Sequence, residues 1–151
     1  MSRRILLLNG PNLNMLGLRE PEIYGEATLD DVVALTREQA DVHGFELDAV
    51  QSNHEGDLID ALHRARGTHI GCVLNPGGLT HTSVALLDAV KASELSTVEV
   101  HISNPHAREA FRHHSYISLA ARAVIAGAGI QGYAFAVDIL AADHVSRKIS
   151  N

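Results

Sequence analysis

Ile5-Leu6-Leu7-Leu8, closed by Asn9-Gly10-Pro11-Asn12, is the stretch from which the fold can be read. It is apolar at every position, so neither side of it is prepared for water. A strand of that kind lies inside a parallel sheet covered on both faces. The pattern returns along the chain. Val73-Leu74 runs into Asn75-Pro76-Gly77-Gly78, Val98-Glu99-Val100-His101-Ile102 into Ser103-Asn104-Pro105, and Ala123 to Ala126 into Gly127-Ala128-Gly129. Phe45-Glu46-Leu47-Asp48-Ala49-Val50 alternates instead, which places it nearer a sheet edge.

Helical spacing fills the gaps. Thr28 with Asp31 resembles a capping box; Leu29, Val32, Val33, Thr36 and Ala40 then share a face, and Gly44 closes the helix. Leu58, Ile59, Leu62 and Ala65 form a second stripe, stopped at Gly67. Val84, Leu87 and Val90 form a third, within a helix from Ser83 to Ser93. The last helix is expected from Ile130 to Val145, with Tyr133, Val137, Leu140 and His144 on one side. Strands alternating with helices, with one irregular connection before the fifth strand, define an α/β chain. Five strands in 151 residues suit a flavodoxin-like three-layer sandwich with a five-stranded parallel sheet. No repeat or linker divides residues 1–151, so a single domain is expected.

Composition narrows the function. With 46% hydrophobic residues the chain can offset its ordering entropy, which excludes disorder over most of its length. Three Tyr, three Phe and no Trp make poor stacking platforms for bases, and a net charge of -6 makes a poor general phosphate binder. No nucleic-acid partner is expected. The apolar run after Arg3-Arg4 stops at Asn9, too short for a signal peptide or membrane span, so a cytoplasmic location without a membrane partner is expected. The single cysteine, Cys72, rules out an intramolecular disulfide, which fits a reducing compartment. Within Ile70-Gly71-Cys72-Val73-Leu74 it reads as a buried hydrophobe rather than a nucleophile.

Open parallel sheets bind ligands outside the carboxyl ends of their strands. The polar residues without an obvious structural duty collect there. Asn9, Asn12, Asn14, Arg19 and Tyr24 follow the first strand, Asn75, His81 and Thr82 the third, and His101, Ser103 and Arg112 the fourth. The connection from Gly10 to Gly25 is long for a βα loop. It reads either as a lid carrying Arg19 and Tyr24, hinged at Gly17 and Gly25, or as a surface loop with its tyrosine packed beneath. His101 lies two residues after Glu99 on the same strand face, and a carboxylate there would orient or charge the imidazole. His81 serves either to cap the following helix or to hydrogen-bond a polar ligand. His113-His114 read as solvated, and without an HxxxH or CxxC pair no metal site is expected. Gly127-Ala128-Gly129-Ile130-Gln131-Gly132 fits GxGxxG, but no later strand presents an acidic residue to a ribose. It reads as a tight strand-to-helix turn. A nucleotide- or flavin-binding module of this fold would leave Arg19, Tyr24 and His101 without a task.

Four ordered motifs carry a family resemblance. Asn9-Gly10-Pro11-Asn12-Leu13-Asn14-Met15-Leu16-Gly17 with Arg19-Glu20-Pro21 and Tyr24-Gly25 is the first. Gln51-Ser52-Asn53-His54-Glu55-Gly56 is the second, and Asn75-Pro76-Gly77 with Thr80-His81-Thr82-Ser83 and Asp88-Ala89 is the third. Glu99-Val100-His101-Ile102-Ser103-Asn104 with Arg108-Glu109 and Phe111-Arg112 is the fourth. Together they resemble the type II 3-dehydroquinate dehydratases over nearly the whole chain. Gly78 and Met15 depart from the family pattern and touch no residue assigned to chemistry.

The resemblance implies elimination of water from 3-dehydroquinate to give 3-dehydroshikimate through an enolate, in the shikimate pathway or in quinate breakdown, with no cofactor, no metal and no Schiff base. It implies Tyr24 as base, with Arg19 as the cation that favours its phenolate. Asn12 would hold a water against the enolate oxygen, and His101, kept protonated and oriented by Glu99, would be the acid. Backbone N–H groups of Ile102 and Ser103, with the Ser103 hydroxyl, would hold the substrate carboxylate, and Asn75, His81 and Arg112 its ring hydroxyls. Asp88 would reach the site of a neighbouring subunit, in trimers that assemble into a homododecamer.

Overall fold

In a computed structural model, residues 3–18 and 20–150 are described. The apolar run becomes β1 (Arg4–Asn9), and the long connection after it contains a 3-10 turn at Leu13–Met15 and a one-turn helix, α1 (Pro21–Tyr24). Then come α2 (Leu29–Val42), β2 (Glu46–Gln51), α3 (Glu55–Ala65), β3 (Gly71–Asn75), α4 (Val84–Ser93), β4 (Ser96–His101), three 3-10 turns between residues 105 and 119, β5 (Ala123–Ala126) and α5 (Gln131–Ser150). The five strands pair in the order β2-β1-β3-β4-β5, all parallel. The alternating run expected near an edge is the edge strand β2.

Because successive side chains point to opposite faces, β1 feeds two cores. Ile5 and Leu7 join Val73, Val98 and Val100 beneath α2 and α5. Leu6 and Leu8 join Cys72 and Leu74 beneath α3 and α4. Cys72 is fully buried, and burial pushes its thiol pKa well above the ordinary range. The α2 capping box forms: the Thr28 hydroxyl accepts from the Asp31 N–H at 3.2 Å, and the Asp31 carboxylate from the Thr28 N–H at 2.9 Å. Ser83 caps α4 by accepting from the Leu86 N–H. α5 runs five residues beyond the expected Val145; that extension is polar and exposed apart from Ile149, itself exposed, so no buried stripe marks it.

Two glycines fix the rim where β1 and β3 end. A Cβ on Gly10 would lie 2.4 Å from the Pro76 carbonyl oxygen. One on Gly77, at φ +61°, would lie 2.8 Å from the Pro11 carbonyl oxygen. The two loops therefore pack backbone to backbone, tied by the Gly10 N–H to the Asn75 carbonyl at 2.8 Å. At the other glycine-rich turn, a Cβ on Gly132 would lie 3.2 Å from Ile125. That turn brings α5 tightly onto the sheet, as expected of it.

Candidate active site

The carboxyl ends of β1, β3 and β4 surround a cavity of about 180 Å³. Asn12, Tyr24, Asn75, His81, His101, Ile102, Ser103 and Arg112 all line it, as does Arg108. Glu99 lies directly behind His101. Asp88 is exposed on α4 and does not line the cavity of its own chain. Arg19, expected beside Tyr24, lies outside the described residues.

Each side chain is held by a local cause. Asn12 sits in the left-handed region at φ 72°, and its N–H donates to the Asn53 side-chain oxygen at 2.9 Å. Gln51 donates to that same oxygen and to the Gly10 carbonyl, both at 3.2 Å. The Gln51–Gly56 motif is thus a brace under the Asn12 loop, a role that sequence reading left unassigned. Asn75 is braced from α5. Tyr133, fully buried, accepts from the Asn75 amide at 2.9 Å and donates to the Asn9 side chain at 2.7 Å. Burial pushes the Tyr133 phenol pKa up, so it stays a neutral donor. The periodicity of α5 signals only that Tyr133 faces the core.

His101 Nε2 lies 2.5 Å from a carboxylate oxygen of Glu99, which is 1% exposed. Burial raises the Glu99 pKa, but hydrogen bonds from His101, Ser118 and Ser115 outweigh it and hold the carboxyl below its ordinary value. His101 Nδ1 has no hydrogen-bond partner among the described residues. His81 places its Nδ1 2.8 Å from the His114 carbonyl, so that nitrogen carries a proton and the ring is more than a helix cap. Arg112 donates to Glu109 at 2.5 Å while lining the cavity.

Tyr24 closes α1, whose first residue is Pro21, a position that suits proline. Its ring packs against the α2–α5 core, as one of the two readings of the long loop expects, and also faces the cavity. The cation at its oxygen, among the described residues, is Arg108, which donates from Nη1 at 2.8 Å and lies 5.4 Å from the ring centroid. Arg108 also donates to the Ser103 hydroxyl at 3.4 Å. Arg108 belongs to the fourth motif but has no task legible in the sequence, because a side chain among short 3-10 turns has no periodicity to give its direction. No group of three or more His, Cys, Asp or Glu among the described residues could hold a metal ion. No helix among them is long and apolar enough to cross a membrane.

A carboxylate-paired histidine and a guanidinium-bonded tyrosine share one cavity at the carboxyl ends of a parallel α/β sheet, an arrangement suited to acid–base chemistry on a small polar substrate. The model of the class II dehydroquinase family matches residues 3–141. A 3-dehydroquinate dehydratase of Corynebacterium efficiens is 82% identical over 150 residues, covering 99% of both chains. One from Streptomyces avermitilis is 60% identical over 139 residues, 91% of this chain and 87% of the other. The crystal structure of the type II dehydroquinase from Propionibacterium acnes superposes with a TM-score of 0.90 at 42% identity, covering 95% of this chain and 99% of the other. The chain belongs to the class II dehydroquinase family.

Proposed function

We propose that Tyr24 and His101 are the base and acid of the family's reaction in this chain. That reaction is a hydro-lyase step in the shikimate pathway: 3-dehydroquinate loses water to give 3-dehydroshikimate. The Tyr24 phenolate takes the proton alpha to the ketone and becomes a phenol. The electrons of the broken C–H bond form an enolate, stabilised by a water held at Asn12. The enolate collapses to a double bond as the tertiary C–O bond breaks. The pair on the departing oxygen takes the His101 proton, and water leaves. Return of a proton from Tyr24 to His101 through solvent resets the site. Arg108 lies at the tyrosine oxygen, and Arg19 is the second cation proposed to act there.

Ile102 and Ser103 hold the substrate carboxylate, and Asn75, His81 and Arg112 its hydroxyls. Residues 1–151 form one catalytic domain working in the cytoplasm, and trimers in which Asp88 reaches a neighbour's cavity build a homododecamer. The observation that carries the catalytic reading is the pairing of His101 with a buried carboxylate on the cavity that Tyr24 also lines. The test is to add 3-dehydroquinate and follow the ultraviolet absorbance of the conjugated enone carboxylate. Tyr24→Phe and His101→Ala, purified and folded, should each lose turnover; near-normal rates in either would remove that residue from the chemistry.

A further inference from the structure

The irregular connection between β4 and β5 meets the Glu99–His101 pair from both sides. Arg108 and Arg112 face the cavity in front, while Ser115 and Ser118 stand behind. Glu99 Oε2 is taken by His101. Its other oxygen, Oε1, accepts from Ser118 Oγ at 2.8 Å and from Ser115 Oγ at 3.1 Å. Ser115 Oγ also lies 2.5 Å from the hydroxyl of Thr80, which is fully buried. A serine has one hydroxyl proton. With that proton given to Glu99, Thr80 must be the donor to Ser115. A directed chain therefore runs Thr80 to Ser115 to Glu99, joined at the carboxylate by Ser118. A second cavity of about 220 Å³ borders this group.

One proton shared between a buried carboxylate and an imidazole has two resting places. On Nε2 it makes an ion pair, and the Nδ1–H then belongs to an imidazolium, a competent acid. On the carboxyl it leaves a neutral imidazole, a far weaker one. Hydrogen bonds donated to Oε1 stabilise the charged carboxylate more than the neutral acid, because an ionised oxygen is the stronger acceptor. We propose that Ser115 and Ser118, with Thr80 behind Ser115, are positioning residues that keep the proton of the Glu99–His101 pair on the histidine. This rests on His101 being the acid. The lowered carboxyl pKa of Glu99 has these hydroxyls among its causes. The other titratable groups bordering the same cavity are His81, His106, Arg112, His113 and His114, and β5 contributes only Val124 and Ala126.

The experiment compares the full-length protein with Ser115→Ala/Ser118→Ala, with Ser118→Ala alone and with Ser118→Thr. For the double variant we expect kcat to fall about tenfold or more, one lost hydrogen bond to a charged group being worth about that factor. KM should stay within about twofold, since neither serine lines the front cavity. In nitrogen-15 and carbon-13 spectra without substrate, protonation of Glu99 should begin about one pH unit higher. On the acid side of neutrality, His101 should gain neutral-imidazole character. Ser118→Thr, which keeps the hydroxyl, should restore both readouts, and Thr80→Val should shift them in the same direction as the double variant. Ser118 is exposed, so Ser118→Ala alone carries the test should the double variant not fold. A folded serine variant with unchanged kcat and an unchanged titration overturns the proposal while His101→Ala remains inactive. If His101→Ala instead turns over normally, the assignment of the acid fails first, and the two failures are thereby told apart.

Discussion

At the scale of single residues, the site depends on placed charges, and one of them, Arg108, stands where no helix or strand period points. Arg108 donates to the Tyr24 oxygen from a segment of 3-10 turns, and a hydrogen bond to a charged group is worth about 1.5–3 kcal/mol. Arg108→Gln should therefore lower kcat by about 10–100-fold, and added guanidinium salt should recover part of it. Turnover of Arg108→Gln at the normal rate would take the guanidinium out of the mechanism. Glu99 makes a second prediction, with its sign fixed by its lowered pKa. A carboxyl held low in the fold contributes stability that is complete above its unfolded value, about 4.3, and disappears as pH falls through the lower folded value. Urea unfolding of the chain and of Glu99→Gln should therefore differ most near neutrality and converge as pH falls below the unfolded value. A gap that widens on acidification would show that the carboxylate is not what the fold favours.

At the scale of elements, most of the architecture was legible because it rests on periodicity. Runs apolar on every residue marked β1, β3 and β4, alternation marked the edge strand β2, and Thr28 and Ser83 marked helix starts. The convergence of three strand ends on one cavity follows from sheet topology, and it gathers most of the candidate residues. Contacts between distant elements left no such mark. Nothing in the sequence joins Tyr133 of α5 to Asn9 and Asn75, or Asn53 to the Asn12 N–H. Tyr133→Phe tests the first of these. It leaves two buried amide groups short of a partner, at a cost of about 1–3 kcal/mol each. We expect a lower urea midpoint at unchanged slope, together with a KM that rises more than kcat falls. Unaltered stability would mean that the Asn9 and Asn75 amides find other partners.

At the scale of the whole molecule, the open question is whether one chain makes one site. Asp88 is exposed on α4, away from the cavity of its own chain, although the motif around it belongs to the family pattern. A closed cyclic assembly gives such a residue a neighbour's pocket to complete. Asp88→Ala and Tyr24→Phe chains, each weak alone, should regain activity when unfolded together and refolded as mixed oligomers. Some pockets then combine an intact Tyr24 from one chain with an intact Asp88 from the next. Hybrids with no activity above the sum of the parents would confine Asp88 to its own chain.

The thread from Asn9 through Tyr133 to Asn75 bears on how the molecule is born. Every side chain proposed to meet the substrate has been synthesised once the ribosome passes Arg112, yet Asn75 is not seated until Tyr133 arrives. At about 5–20 residues per second that interval is on the order of seconds, and a domain generally folds as a unit. A nascent chain in that window has its catalytic inventory and no braced pocket to put it in. Competence to bind substrate should therefore appear late and abruptly during synthesis, set by the arrival of a helix that supplies no proposed catalytic group.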